Sequence, residues 1–279
     1  MIALSNCGRM VHRHDHDRYL CALFAPGERR EDLLALLAFN HELAKTRESV
    51  TEPMLGQIRL QWWRESIAGI YGGQIRRHEV IEPLAAAVVR NHLPRPGLDA
   101  LIDAREADLA ADPPKTLADL EAYAEATGGG LNDLALILLG AADEASRRAG
   151  RHVGVGWALT GLLRATSHLV RQRRLLIPQN LHEKYLINIS EVMEFRDSRA
   201  LSFAVAEIAE LARERLRAAR ALRADVSRAA QPVLLAAGIA DVYLRRLARA
   251  GYRVFEPRLA EPARLVGWRL AAHALIGRY

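Results

Sequence analysis

The chain has 279 residues, half of them hydrophobic and 26% charged, which is enough to bury a sizeable core in one large domain or two small ones. A net charge of +6 and a pI near 9.7 permit contact with anionic lipid or phosphate, although arginines on solvated helix faces give the same charge with no ligand. Two cysteines, Cys7 and Cys21, exclude a disulfide scaffold or a cysteine-built zinc site, and no apolar run approaches the roughly 18–20 residues of a membrane span. With no apolar core of a signal peptide in MIALSNCGRM, the expectation is a cytoplasmic protein at most peripherally bound to the inner face of a membrane.

Residues 1–15 are polar and read as a mobile N-terminus. Across its end, VHRHDHD (11–17) sets His12, His14 and His16 among Asp15 and Asp17, a cluster able to take Zn²⁺ or Ni²⁺ adventitiously. Alanine, leucine and arginine dominate the rest, which favours helix. A first helix is expected from about Asp17, and a second opens on Glu31 and Asp32, whose charges suit a helix N-terminus, and runs to about Val50. A third covers 54–71 and closes on Gly72-Gly73. Helices over 79–91 and 97–111 are separated by Pro94 and Pro96. Thr116 is a predicted N-cap, and its helix is interrupted by Gly128-Gly129-Gly130. Glycine costs about 1 kcal/mol per helical position, so this triplet implies a kink, or close approach by another helix or a ligand. After Gly150 comes a helix inside a stretch, Ala145 to His182, that contains no Asp or Glu. A short helix near 179–186, a long one over 190–228, one from Pro232 to Arg249 and a last from Pro262 to Ile276 complete the pattern. No strand alternation, repeat or linker interrupts it, so residues 16–279 read as one all-α domain.

Several runs, taken in order, resemble the squalene/phytoene synthase superfamily over nearly the whole chain: LLALLAFNHELAK (33–45), QWWRESIAGIY (61–71), LIDAREADL (101–109), DLEAYAEATGG (119–129), LTGLLRATSHLVRQRRLLIP (159–178) and VYLRRLARAGYRVFEPR (242–258). The resemblance implies a helical bundle of the isoprenoid synthase type with a central cavity. Active members carry two aspartate-rich helices whose carboxylates, one turn apart, hold Mg²⁺ and an allylic diphosphate. This chain departs from both motifs. Where FCRxxDDxxD is the pattern, Phe39 to Glu48 puts Ala44 and Lys45 at the aspartate pair and keeps a carboxylate only at Glu48. Where LTNILRDVxED is the pattern, Ala165 and Leu169 stand at the second set. AFNHELAKTRESV and LLRATSHLVRQRRLLIP look closest to the non-catalytic branch that includes complex I assembly factor 6. That likeness implies a part in assembling respiratory complex I, with a complex I subunit or assembly intermediate as partner.

Candidate residues for the old cavity or for anion binding are Asn40, His41, Lys45, Glu48, Tyr123, Arg164, His168, Arg171 and Arg174. Arginine offers a planar fork for phosphate oxygens, but cations at a helix C-terminus also suit the dipole with no ligand. Lys45 either meets an anion or pairs with Glu42 or Glu48. Glu42 and Glu48 share no helix face well. Trp62 and Trp63 read as core, Asp103, Glu106 and Asp108 as salt-bridge partners around Arg105. The expectation is a catalytically inactive homologue with no catalytic residues and no metal or other cofactor, holding an isoprenoid, quinone or anionic lipid. The competing reading is an active prenyl transferase with a displaced Mg²⁺ site around Glu42, Glu48 and His168. No nucleic-acid motif appears, and none is expected as a ligand.

Overall fold

The computed structural model describes residues 4–50, 52–110, 112–259, 261 and 266–279, and its regular elements are all helical. Two short helices come first, α1 (Asn6–His14) and α2 (His16–Ala22). They correct the expectation of a mobile terminus. Cys7 and Val11, one turn apart, are fully buried, and α1 packs along α3 (Gly27–Ala44). Ser5 caps α1 by accepting the Gly8 N–H at 2.9 Å, and Asp15 caps α2. Only two or three apolar residues do this work, so the average polarity of the segment hid them. Both thiols are free, and burial pushes both up, Cys7 to about 11.

Helix α3 is apolar on nearly every side, as a central helix must be: Leu33 through Asn40 are all buried. It begins at Gly27, ahead of the expected acidic start, and ends at Ala44 rather than near Val50. Helix α4 (Pro53–Tyr71) has proline in its first turn, where the missing N–H costs nothing. Trp63 on it is buried, and Trp62 packs edge-on against it. After α5 (Ile81–Asn91), α6 (Arg95–Ala104) tightens into a 3₁₀ turn over Arg105–Leu109. Thr116 caps α7 (Leu117–Ala124) in a reciprocal box with Asp119.

The glycine triplet widens the chain into a π-turn, Glu125–Gly129, before α8 (Gly130–Leu138). The neighbour it admits is another helix. A Cβ on Gly128 would lie 2.3 Å from the Gly154 carbonyl oxygen, and a Cβ on Gly154 equally close to that of Gly128. Gly154 belongs to α9 (Glu144–Arg171), the acid-poor helix, which starts earlier than expected because Asp143 caps it through the Ser146 N–H. The 190–228 helix is divided into α11 (Ile189–Met193) and α12 (Arg199–Ala221), with the short α10 (Gln179–Tyr185) before them. Phe195 turns into the left-handed region (φ 61°), Asp197 accepts the Val254 N–H at 3.0 Å, and Ser198 caps α12. Periodicity carries no trace of such a polar break. Helix α12 packs along α9, as does α14 (Ala236–Arg249), which follows the single turn α13 (Gln231–Leu234). The last helix, α15 (Val266–Leu275), lies on α14 and α2; its expected start at Pro262 is outside the described residues.

Candidate functional site

Helices α3 and α9 face each other across a cavity of about 400 Å³. From α9 come Trp157, Gly161, Ala165 and Leu169, a row at four-residue spacing and so one face of the helix. From α3 come Asn40, His41 and Ala44, and Glu48 follows from the turn beyond it. The α7 end adds Tyr123, and the 3₁₀ turn adds Arg105 and Asp108. Ala44, Ala165 and Leu169, the positions where the family pattern calls for carboxylates, therefore all line one space, and they line it with methyl and isobutyl groups.

Opposite them lies a polar cluster. Arg105 donates to Asp108 (3.3 Å), to the Tyr123 hydroxyl (3.0 Å) and to Asn40 Oδ1 (3.1 Å). Tyr123 donates to Asp108 Oδ1 at 2.8 Å, and Arg174 reaches the same oxygen at 3.6 Å. The side chains of Arg105, Arg174 and Asp108 are only 10–12% exposed. Burial, with Asp108 adding to it and Arg105 opposing, pushes the Tyr123 phenol well above its ordinary pKa, so it stays protonated and donates. Burial works against the Arg105 charge, but Tyr123 and Asp108 outweigh it and raise its pKa. His41 stacks on His14 with ring centroids 4.5 Å apart. Burial first, then His14 and Lys45, hold its pKa below the usual imidazole value, which leaves it neutral.

Of the residues picked out in the sequence, Asn40, His41, Glu48, Tyr123 and Arg174 line this cavity. Lys45, Arg164, His168 and Arg171 do not. Lys45, one residue from Ala44, turns away and meets the buried Glu42 carboxylate, which also takes Arg59 at 2.8 Å. Arg164 lies 3.4 Å over the Tyr243 ring and 3.6 Å from Asp17. His168 pairs with Glu48 at 2.9 Å at the solvent edge, and Arg171 sits over Phe195. Sequence reasoning did not bring Arg105, Asp108 or the His14–Arg18 segment to the cavity. Arg105 and Asp108 are legible in the sequence only as a local ion pair, and the polar N-terminal segment carries no sign of its packing.

The arrangement of the helices is that of the isoprenoid synthases. A squalene synthase, HpnC from Alicyclobacillus acidocaldarius, superposes with a TM-score of 0.78 at 17% identity, covering 88% of this chain and 93% of that one. A dehydrosqualene synthase crystallised with a ligand superposes at 0.82 with 16% identity, covering 97% and 94%. The squalene/phytoene synthase family model matches residues 11–269, and the chain belongs to that family. Among relatives, mouse NADH dehydrogenase (ubiquinone) complex I, assembly factor 6 is 29% identical over 273 residues, 98% of this chain and 82% of that protein. The human protein of the same name is 29% identical over 255 residues, 91% and 77% of the two chains.

The donor set does not fit the Mg²⁺ that active members use. Ala44, Ala165 and Leu169 have no side-chain oxygen, and this hard cation requires oxygen ligands. The carboxylates that do line the cavity are engaged: Asp15 with Arg18 (3.2 Å), Glu48 with His168, and Asp108 with Arg105, Arg174 and Tyr123. Among the described residues, no three His, Cys, Asp or Glu side chains are grouped to hold a metal, the alternating histidines of the N-terminus included.

Proposed function

We propose that this chain is a non-catalytic member of the squalene/phytoene synthase family that serves the assembly of respiratory complex I. The observation that carries the reading is the position of Ala44 and Ala165 on facing helices of one cavity. Metal-assisted departure of a diphosphate needs oxygen ligands there to neutralise charge on the leaving group, and two methyl groups supply none. The names of the relatives support the assembly role.

The cavity retains a use as a binding site. Trp157, Leu162, Leu169 and Leu176 give it an apolar lining, and the Arg105–Asp108–Tyr123 cluster gives it one polar end. An isoprenoid, a quinone or a lipid tail suits such a space, with a polar head at the arginine end. The test has two arms. Purified protein with farnesyl or geranylgeranyl diphosphate and Mg²⁺ yields no condensed product, and calorimetry with a non-hydrolysable prenyl diphosphate gives no Mg²⁺-dependent heat. Condensation would end the non-catalytic reading. Deleting the gene lowers the amount of assembled complex I; normal assembly would end the other half.

The second reading, a prenyl transferase with a displaced site, draws on the Glu48–His168 pair at the cavity's edge. It predicts Mg²⁺-dependent binding that Glu48→Gln removes, and the same calorimetry decides it.

A further inference from the structure

Helix α15 has two apolar faces. Val266 and Leu270 point inward and are buried. Trp268, Ala272, Leu275 and Ile276 fall at i, i+4, i+7 and i+8, one continuous stripe, and all four are exposed. Trp268 is 78% exposed, Leu275 87% and Ile276 57%. Isolated exposed apolar residues need no explanation, but three large ones on a single stripe do.

The stripe is held in place by polar clamps behind it. Arg223 donates to the carbonyls of Gly277 (2.9 Å) and Ile276 (3.2 Å), Gln231 to that of Ala274 (2.9 Å), and Arg220 to that of Tyr279 (2.8 Å). These contacts fix the helix end from the α12 side and leave the outer face uncovered.

Beside the stripe lies a basic pocket of about 410 Å³. Arg220, Arg223, Arg245, Arg269 and Arg278 line it, and Asp241 is its only side-chain carboxylate among the described residues. Arg220 occupies that carboxylate at 2.8 Å, with Arg245 at 3.9 Å. Arg269 and Arg278 make no side-chain hydrogen bond or ion pair among the described residues, and both are exposed. Arg269 lies on α15 one turn before Ala272 and His273, at the seam between stripe and pocket. His273 in the pocket wall has its pKa held low, by burial first and then by Arg220, with Arg269 and Arg278 adding to it and Asp241 opposing.

We infer that this face docks on the surface of an anionic phospholipid bilayer, the α15 stripe entering the headgroup boundary and the arginine pocket receiving lipid phosphates. Charge complementarity carries the choice of occupant: uncompensated guanidiniums adjoin an apolar ridge that begins with tryptophan, the residue whose ring prefers the headgroup level. Arginine stems lie along apolar surface while their heads remain at the phosphates. No described helix is long and apolar enough to cross a membrane, so the contact is peripheral. The inference is independent of the cavity, which lies against α3 and α9.

The test is flotation of the full chain with vesicles of phosphatidylcholine alone and of phosphatidylcholine mixed with phosphatidylglycerol. The protein floats with the mixed vesicles and stays down with neutral ones. Arg269→Gln with Arg278→Gln weakens partitioning about thirtyfold, from roughly fivefold per arginine near an anionic surface. Trp268→Ser with Leu275→Ser abolishes flotation, and both double variants keep the parent melting temperature because the replaced side chains are exposed. With brominated phosphatidylglycerol, tryptophan emission is quenched in the parent and not in Trp268→Phe. Failure to float with anionic vesicles overturns the inference and leaves an acidic protein as the occupant to seek. Parent-like flotation of either double variant overturns it too, as does equal quenching in Trp268→Phe, which would place the contact elsewhere.

Discussion

Two arginine-rich regions of this molecule behave in opposite ways. In the central cavity, Arg105 and Arg174 are largely buried and committed to Asp108, Tyr123 and Asn40. At the far end, Arg269 and Arg278 stand in water beside Asp241, the one side-chain carboxylate among the described residues of that pocket, which other arginines already hold. The same residue type is structural in one place and available in the other. Burial makes the difference, because a guanidinium cannot be buried without a partner and an exposed one needs none.

The sharpest way to break this comparison is to remove the buried partner. Asp108→Ala strands Arg105 and Arg174 and costs about 3–5 kcal/mol in urea unfolding. A cost near zero would mean that the cluster is wet and its arginines free. Next is the close approach that forms the cavity wall. Gly128→Ala drives a methyl into the Gly154 carbonyl and costs about 3 kcal/mol. Gly161→Ala, also on the cavity face but with nothing within 4 Å of its new Cβ, gains about 0.5–1 kcal/mol instead. Both are read from urea midpoints at constant slope.

A pH series separates the two regions by mechanism. The folded-state pKa values of His41 and His273 are both lowered. The unfolded chain therefore takes up these protons first as pH falls below about 6.5, and stability drops. The contribution is fully present above that pH and is lost on acidification. His41→Asn and His273→Asn each flatten the loss between about pH 7.5 and 5.5. Added salt restores stability more at His273, where Arg269 and Arg278 among its neighbours are exposed, than at His41. A parent-like pH slope in His41→Asn would show that His41 is not held neutral. The smallest effects belong to the surface. Arg278→Gln and His168→Ala each shift stability by at most about 0.5 kcal/mol, since the His168–Glu48 pair is half exposed. A larger change for Arg278→Gln would make that arginine structural and erase the contrast.

Much of this was legible in the sequence. Thr116, ahead of Leu117, Leu120 and Tyr123 at helical spacing, reads as a cap in the sequence, and it is one. The glycine triplet announced a distortion, although the reason for it, the Gly154 backbone, lies on another helix. The family pattern led to Ala44 and Ala165. For Lys45, the neighbour of Ala44, the sequence leaves an anion contact and pairing with Glu42 or Glu48 both open, and the structure gives the Glu42 pair. The N-terminal helix escaped notice because two buried side chains are too few to shift the character of a polar segment. Arg105 and Asp108 escaped because their spacing explains itself locally and gives no sign of what surrounds it.

By itself, then, the sequence determined the helical class, the family and the loss of carboxylates at both motif positions, because each is a property of local spacing or of residue identity. Only the tertiary structure decided which charges are spent and which are free. Partnership depends on what packs opposite a side chain, and residues such as Arg105 and Asn40, or Arg223 and Gly277, meet only when distant helices close on one another.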